Sequence, residues 1–182
     1  MKDEIDAIND EIDAVSDAVS DADAVSDADA IKESVIATGV VRFDHYIAAE
    51  DRIEQKTVKN LVVTIGKNYI ASRISGASAA VMGWMEVGAT NTAAVVGDTA
   101  LAGAIASSRT ALTVSGGTPG TPTTNAVRYV CTFGAGVGTG SWVEAGIFNA
   151  ASAGTMLCRT VFGTITKAAG DSITVTWDLT IS

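Results

Sequence analysis

DSITVTWDLTI, residues 171–181, decides the fold. Ile173, Val175, Trp177, Leu179 and Ile181 fall on one face of an extended chain, and Ser172, Thr174, Thr176, Asp178 and Thr180 on the other. Successive side chains of a strand point to opposite faces, so this alternation reads as a half-buried strand of an antiparallel sheet. Three runs upstream read the same way. Residues 126–133 (AVRYVCTF) put Val127, Tyr129, Cys131 and Phe133 on one face; 141–149 (SWVEAGIFN) and 155–162 (TMLCRTVF) follow. The glycine-rich GAGVGTG (134–140) separates the first two as a turn. Short strands joined by small-residue turns predict an antiparallel β-sandwich.

Farther from this core, residues 81–87 (VMGWMEV) and 109–115 read as strands, and 99–105 (TALAGAI) as a short helix capped by Asp98-Thr99. SGGTPGTPTTN (115–125) holds both prolines of the chain and reads as a loop. In 59–75 (KNLVVTIGKNYIASRIS) the spacing of Leu61, Ile65, Tyr69, Ile70 and Ile74 predicts a helix lying on the core, stopped by Gly76. The β-sandwich domain, with this leading helix, is therefore expected over 59–182. Residues 37–58 carry charges of both signs with Phe43, His45 and Tyr46, and read as a neck or linker.

The first 36 residues differ in kind. They hold 12 acidic residues and 2 lysines, a charge of −10; the remaining 146 hold 9 acidic and 10 basic, a charge of +1. Ile5, Ile8, Ile12, Val15, Val19 and Ala22 are spaced as a heptad stripe, with aspartates on the outer positions. After Ala22 the stripe continues through Val25, Ala28, Ile31 and Val35 with a run of three-residue steps that overwinds it. This reads as an acidic coiled-coil oligomerisation helix over 1–36, about 45 Å long at the usual helical rise from Ile5 to Val35. β-branched residues at both seam positions favour trimers or tetramers, so a parallel homotrimer is expected. The alternative is one amphipathic helix packed on its own domain, for which the stripe is narrow.

The near-neutral remainder has no basic face for nucleic acid, and an acidic helix does not suit an anionic membrane surface. Apolar runs are too short to span a bilayer, and an acidic N-terminus without an apolar segment does not read as a secretory signal. Cys131 and Cys158 lack a CxxC partner and read as buried free thiols. The single histidine, His45, reads as structural.

Motifs that invite chemistry fail on their spacing. Gly66-Lys67-Asn68 resembles the end of a phosphate loop, but Leu61 and Asn68 stand where glycine and a hydroxyl are needed. GAGVGTG has Thr139 or Ser141 where a dinucleotide fingerprint needs its last glycine. DADAVSDADA (21–30) lacks the glycine and the bidentate glutamate of a calcium loop. Glu144 and Arg159 each sit inside an apolar strand and fit a cross-sheet pair with a structural role. No catalytic, cofactor or metal residues are expected.

Three segments carry a resemblance: VGATNTAAVVGDTAL (87–101), EAGIFNA (144–150) and MLCRTVF (156–162). Over about residues 60–182 the chain resembles a family of small bacteriophage virion proteins, often labelled tail fibre or structural protein. EAGIFNA is similar to a segment of phage tail-collar and fibre-docking domains. The resemblance implies a non-enzymatic virion building block, assembled in the bacterial cytoplasm, with other capsid or tail proteins as partners. The expectation is a short trimeric fibre or decoration protein. An adhesin that binds a host surface receptor is the alternative, weakened by the lack of aromatic residues in TNTAAVVGDT and SGGTPGTPTTN.

Overall fold

The computed structural model describes residues 34–77 and 80–182. The seam positions Ile5, Ile8, Ile12, Val15, Val19, Ala22, Val25, Ala28 and Ile31 lie outside these residues. Val35 lies inside them. It is 76% exposed and belongs to no helix, so the expected helix does not run through 34–36. There the backbone is already held in the body: the Ile36 N–H donates to the Ser182 carbonyl at 2.6 Å, and the Ser182 N–H returns a bond at 2.9 Å.

Two five-stranded antiparallel sheets make up the body. In the first the order is β2 (Arg52–Lys59), β1 (Ala37–Ile47), β10 (Ser172–Ile181), β7 (Ala126–Phe133), β6 (Gly120–Thr123). In the second it is β3 (Leu61–Val62), β9 (Met156–Lys167), β8 (Gly140–Phe148), β4 (Trp84–Gly88), β5 (Thr110–Ala111). Their inner faces share one core. Val41, Phe43, Tyr129, Cys131, Phe133 and the β10 residues come from the first sheet, and Met85, Val87, Trp142, Ile147, Cys158 and Phe162 from the second. Ring pairs cross the gap: Phe43 with Phe162 at 4.5 Å between centroids, and Phe133 edge-on to Trp142 at 4.9 Å. Aromatic pairs in such geometry add about 0.5–1.5 kcal/mol beyond the area they bury.

The register expected for the last strand holds. Ile173, Val175, Trp177 and Leu179 are buried, while their neighbours in sequence are partly exposed. Trp177 lies between Val41 of β1 and Tyr129 of β7.

Residues 37–58 are not a neck. They are the β1–β2 hairpin, with β2 at the edge of the first sheet and β1 inside it, between β2 and β10. Arg42 and Asp44 sit on the outer face of β1, while Val41, Phe43 and His45 point inward; Arg52, Glu54 and Lys56 of the edge strand β2 share the inner side but lie beyond the core, at a cleft. The sandwich thus begins at Ala37 rather than at 59.

The helix expected over 59–75 is shorter: α1 spans Thr64–Ile74, and Leu61–Val62 is an edge strand on β9. Gly66 lets the helix lie against β9, because a Cβ there would stand 1.9 Å from the Leu157 carbonyl oxygen. The helix stops as expected at Gly76, in the left-handed region at φ +78°, where Gly76 and Ala77 N–H groups donate to the Arg73 and Ser72 carbonyls.

Residues 99–105 are not helical; they belong to a long connection between β4 and β5, with one bridge from Ala104 to Gly88. The strand expected over 109–115 is reduced to Thr110–Ala111, and the one expected from 81 begins at Trp84. The 115–125 loop contains the edge strand β6, where Pro122 is tolerated because an edge strand has one side without a partner.

Candidate functional site

Residues 87–101, 144–150 and 156–162 meet at one place. β8 and β9 bring Glu144 and Arg159 to the outer face of the second sheet, and the connection 89–109 folds over them. Both are fully enclosed, at 0% and 1% exposure. Arg159 donates to Glu144 through Nε and Nη2 at 2.9 and 2.8 Å, to Asp98 Oδ2 at 2.7 Å, and to the Thr92 carbonyl at 2.8 Å. The free lone pairs of Glu144 take the N–H groups of Ala102 and Gly103 at 3.0 and 2.6 Å. Beside this network Leu101 drops onto Phe148 and Met156, a second small core outside the main one.

Electrostatics follow the contacts. Burial alone would raise the Asp98 carboxyl, but the Val95 N–H and Arg159 outweigh it and hold the group below its ordinary value. Burial also opposes the Arg159 charge, and the carboxylates of Asp98 and Glu144 outweigh that in turn. Every nitrogen of the guanidinium and both oxygens of Glu144 are engaged. The arrangement can brace a loop; its charges are already spent on groups of the chain itself. Gly88 permits the approach, since a Cβ there would stand 2.4 Å from Glu144 Oε1.

A second cluster sits at the end of the body formed by the turns. His45 on β1 is buried, with Nε2 3.0 Å from Asp171 Oδ2. The Asp171 carboxylate also accepts the Ala48 N–H at 3.0 Å and the Ala168 N–H at 2.8 Å, ahead of β10. These two N–H bonds, then His45, hold the carboxyl below its ordinary value. Nearby, Lys167 donates to the Gly134 carbonyl at 2.9 Å, and the Gly136 N–H donates to Ala169. GAGVGTG is therefore a docked hairpin turn. Burial pushes the Lys167 ammonium down, partly countered by Asp171.

Above His45 opens a cleft of about 520 Å³ whose rim carries Glu50, Arg52, Glu54 and Lys56. Arg52 pairs with Glu50 and Glu54, and Lys56 donates to the Gly163 carbonyl while lying over the Phe162 ring. His45 and Asp171 thus fasten the turn after β1 to the turn before β10, and the Lys167 and Gly136 bonds add the 134–140 turn.

Cys131 and Cys158 are buried free thiols, as expected. Burial pushes the Cys131 thiol up to about 12 and raises Cys158 further, which makes both inert as nucleophiles. Among the described residues no cluster of three or more His, Cys, Asp or Glu is placed to hold a metal, and no helix is long and apolar enough to cross a membrane.

The seam residues from Ile5 to Ile31 lie outside the described residues, and Val35 lies next to β1. The sequence pointed to the Glu144–Arg159 pair but missed Asp98 as its third member. It also missed the His45–Asp171 clamp, whose partners are 126 residues apart. No protein-family model matches the chain, and no curated protein matches it.

Proposed function

We propose that the chain is a non-enzymatic structural component of a bacteriophage particle. In this reading it is a short homotrimeric fibre or decoration protein that docks to capsid or tail proteins. The observation that carries it is the acidic heptad stripe from Ile5 to Val35, leading directly into a near-neutral β body. A helix with so little apolar surface and so many like charges gains stability by burying its stripe against copies of itself. The body adds support: its buried ionic groups brace loops, which suits a building block. The resemblance of 87–101, 144–150 and 156–162 to phage virion proteins points the same way.

Sedimentation of the intact chain tests the assembly, with a homotrimer expected. The Ile12→Asp/Val15→Asp double variant, which places charge in the seam, should sediment as a smaller species. A monomeric intact chain overturns the reading. Antibody labelling of purified virions tests location on the capsid or tail.

One observation favours the alternative, an adhesin for the host surface. The cleft above His45 is open and lined by charged, amide and hydroxyl side chains such as Glu54, Gln55 and Thr166, a lining suited to polyhydroxylated ligands. Saturable binding of the protein to host cells, weakened by Gln55→Ala, would support it.

A further inference from the structure

An apolar groove of about 330 Å³ lies at the end of the body where the chain enters. Its walls are Tyr69, Ile70 and Ile74 of α1 on one side and Tyr129, Leu179 and Ile181 on the other. Arg73 is its single charged lining residue. Ile74 is 80% exposed, a large apolar side chain left in water at the last position of the helix.

The position of this groove argues for its occupant. Ile181 pairs with Ala37, the first residue of β1. One residue earlier, Ile36 is locked to Ser182 by two backbone bonds. Val35, the last position of the heptad stripe, follows without a linker. Val35 and Ile36 are themselves exposed apolar residues. The point where the stripe joins the body therefore lies beside Ser182 and one residue from Ile181, a wall of the groove. If the stripe joins copies of the chain in parallel, it gathers these joining points together, and the apolar surface beside them is next to be buried between the bodies.

We propose that this groove is an interface with a neighbouring copy of the same chain. The inference rests on the assembly reading above. Exposed Ile74 and the groove rim then form an apolar contact between bodies, the kind of patch that a protein otherwise avoids presenting to water.

Thiol labelling of the full-length protein tests this. Ile74→Cys places a reactive group at the groove; Ile53→Cys, on the exposed β2 strand, is the control, and the two native cysteines are buried and slow. A maleimide should label Ile74→Cys about ten-fold or more slowly than Ile53→Cys, since a side chain closed in an interface reacts only on local opening. Adding Ile12→Asp/Val15→Asp should release the assembly and bring the two rates together. If the intact chain is trimeric and both cysteines react alike, the groove is open to solvent and the inference fails while the assembly reading stands. If Ile74→Cys stays slow in the seam variant, the chain covers its own groove and the inference fails. A monomeric intact chain removes the assembly reading and this inference with it.

Discussion

Replacing Arg159 is the sharpest probe of how this body is held together. The side chain is 1% exposed and makes four hydrogen bonds of 2.9 Å or less, three of them to carboxylates. Arg159→Met keeps most of the volume and removes all four. Glu144 then stays at 0% exposure with only the Ala102 and Gly103 N–H groups for company. Removing one partner of a buried ion pair costs about 3–5 kcal/mol, mainly because the other charge is left uncompensated. A domain of this size has about 5–15 kcal/mol in total, so the variant should fold but denature at clearly lower urea concentration. Glu144→Leu added to Arg159→Met removes the stranded charge and should recover much of the loss, a non-additivity that a double-mutant cycle measures. Hydrogen exchange adds a local readout. The Ala102 and Gly103 amides should exchange faster in Arg159→Met, while amides of β10 follow only the global loss. A denaturation midpoint within about 0.5 kcal/mol of the parent, the range of ordinary surface changes, with unchanged exchange at 102 and 103, would refute the bracing role.

Three further outcomes follow from the packing. Trp177→Ala should cost about 3–5 kcal/mol, whereas Thr176→Ala, on the opposite face, should cost less than about 1 kcal/mol; equal losses in urea denaturation would contradict the register. Trp177→Phe should be milder than Ala, because the buried indole N–H has no hydrogen-bond partner to lose. Gly66→Ala should cost about 1–3 kcal/mol as an overpacking change, since its methyl would meet the Leu157 carbonyl; a neutral effect on thermal unfolding would mean that α1 lifts freely. The Asp171 carboxyl is held below its ordinary value of 3.8, so its contribution is complete above that pH and lost as pH falls through the lower folded value. Asp171→Asn should be less stable than the parent at pH 7, and the gap should close below about 3.8; a gap that stays constant in acid would show that the charge does not matter.

The last strand was legible because both neighbours leave one of its faces on the core and the other outside, which writes a period of two into the sequence. β1 has the same pattern, in Val41, Phe43 and His45, but it was masked by Arg42, Asp44 and Glu50 and by its position after an acidic helix-like stretch. The sequence carries no sign that this hairpin reaches β10, since that pairing spans more than a hundred residues. TALAGAI has the composition of a helix, yet Ala102 and Gly103 give their N–H groups to Glu144, which removes them from any helical ladder. The Glu144–Arg159 pair could be inferred from two charges in apolar strands. Asp98 could not, because it sits in a connection whose path is set by the very contacts it makes.

The pairing of Ile36 with Ser182 also fixes how the body bears load. β1 and β10 run antiparallel, with both free ends at the same end of the sandwich. Tension applied between residue 35 and residue 182 opens their ladder one bond at a time, as a zipper opens, and meets little resistance. Tension between residue 35 and residue 171, at the far end of the pair, pulls β1 and β10 past each other along their length and loads the bonds between them together in shear. The same sandwich is therefore weak to a pull on its two ends and strong to a pull along its length. A force-probe measurement with the two attachment pairs would read that difference as two well-separated unfolding forces.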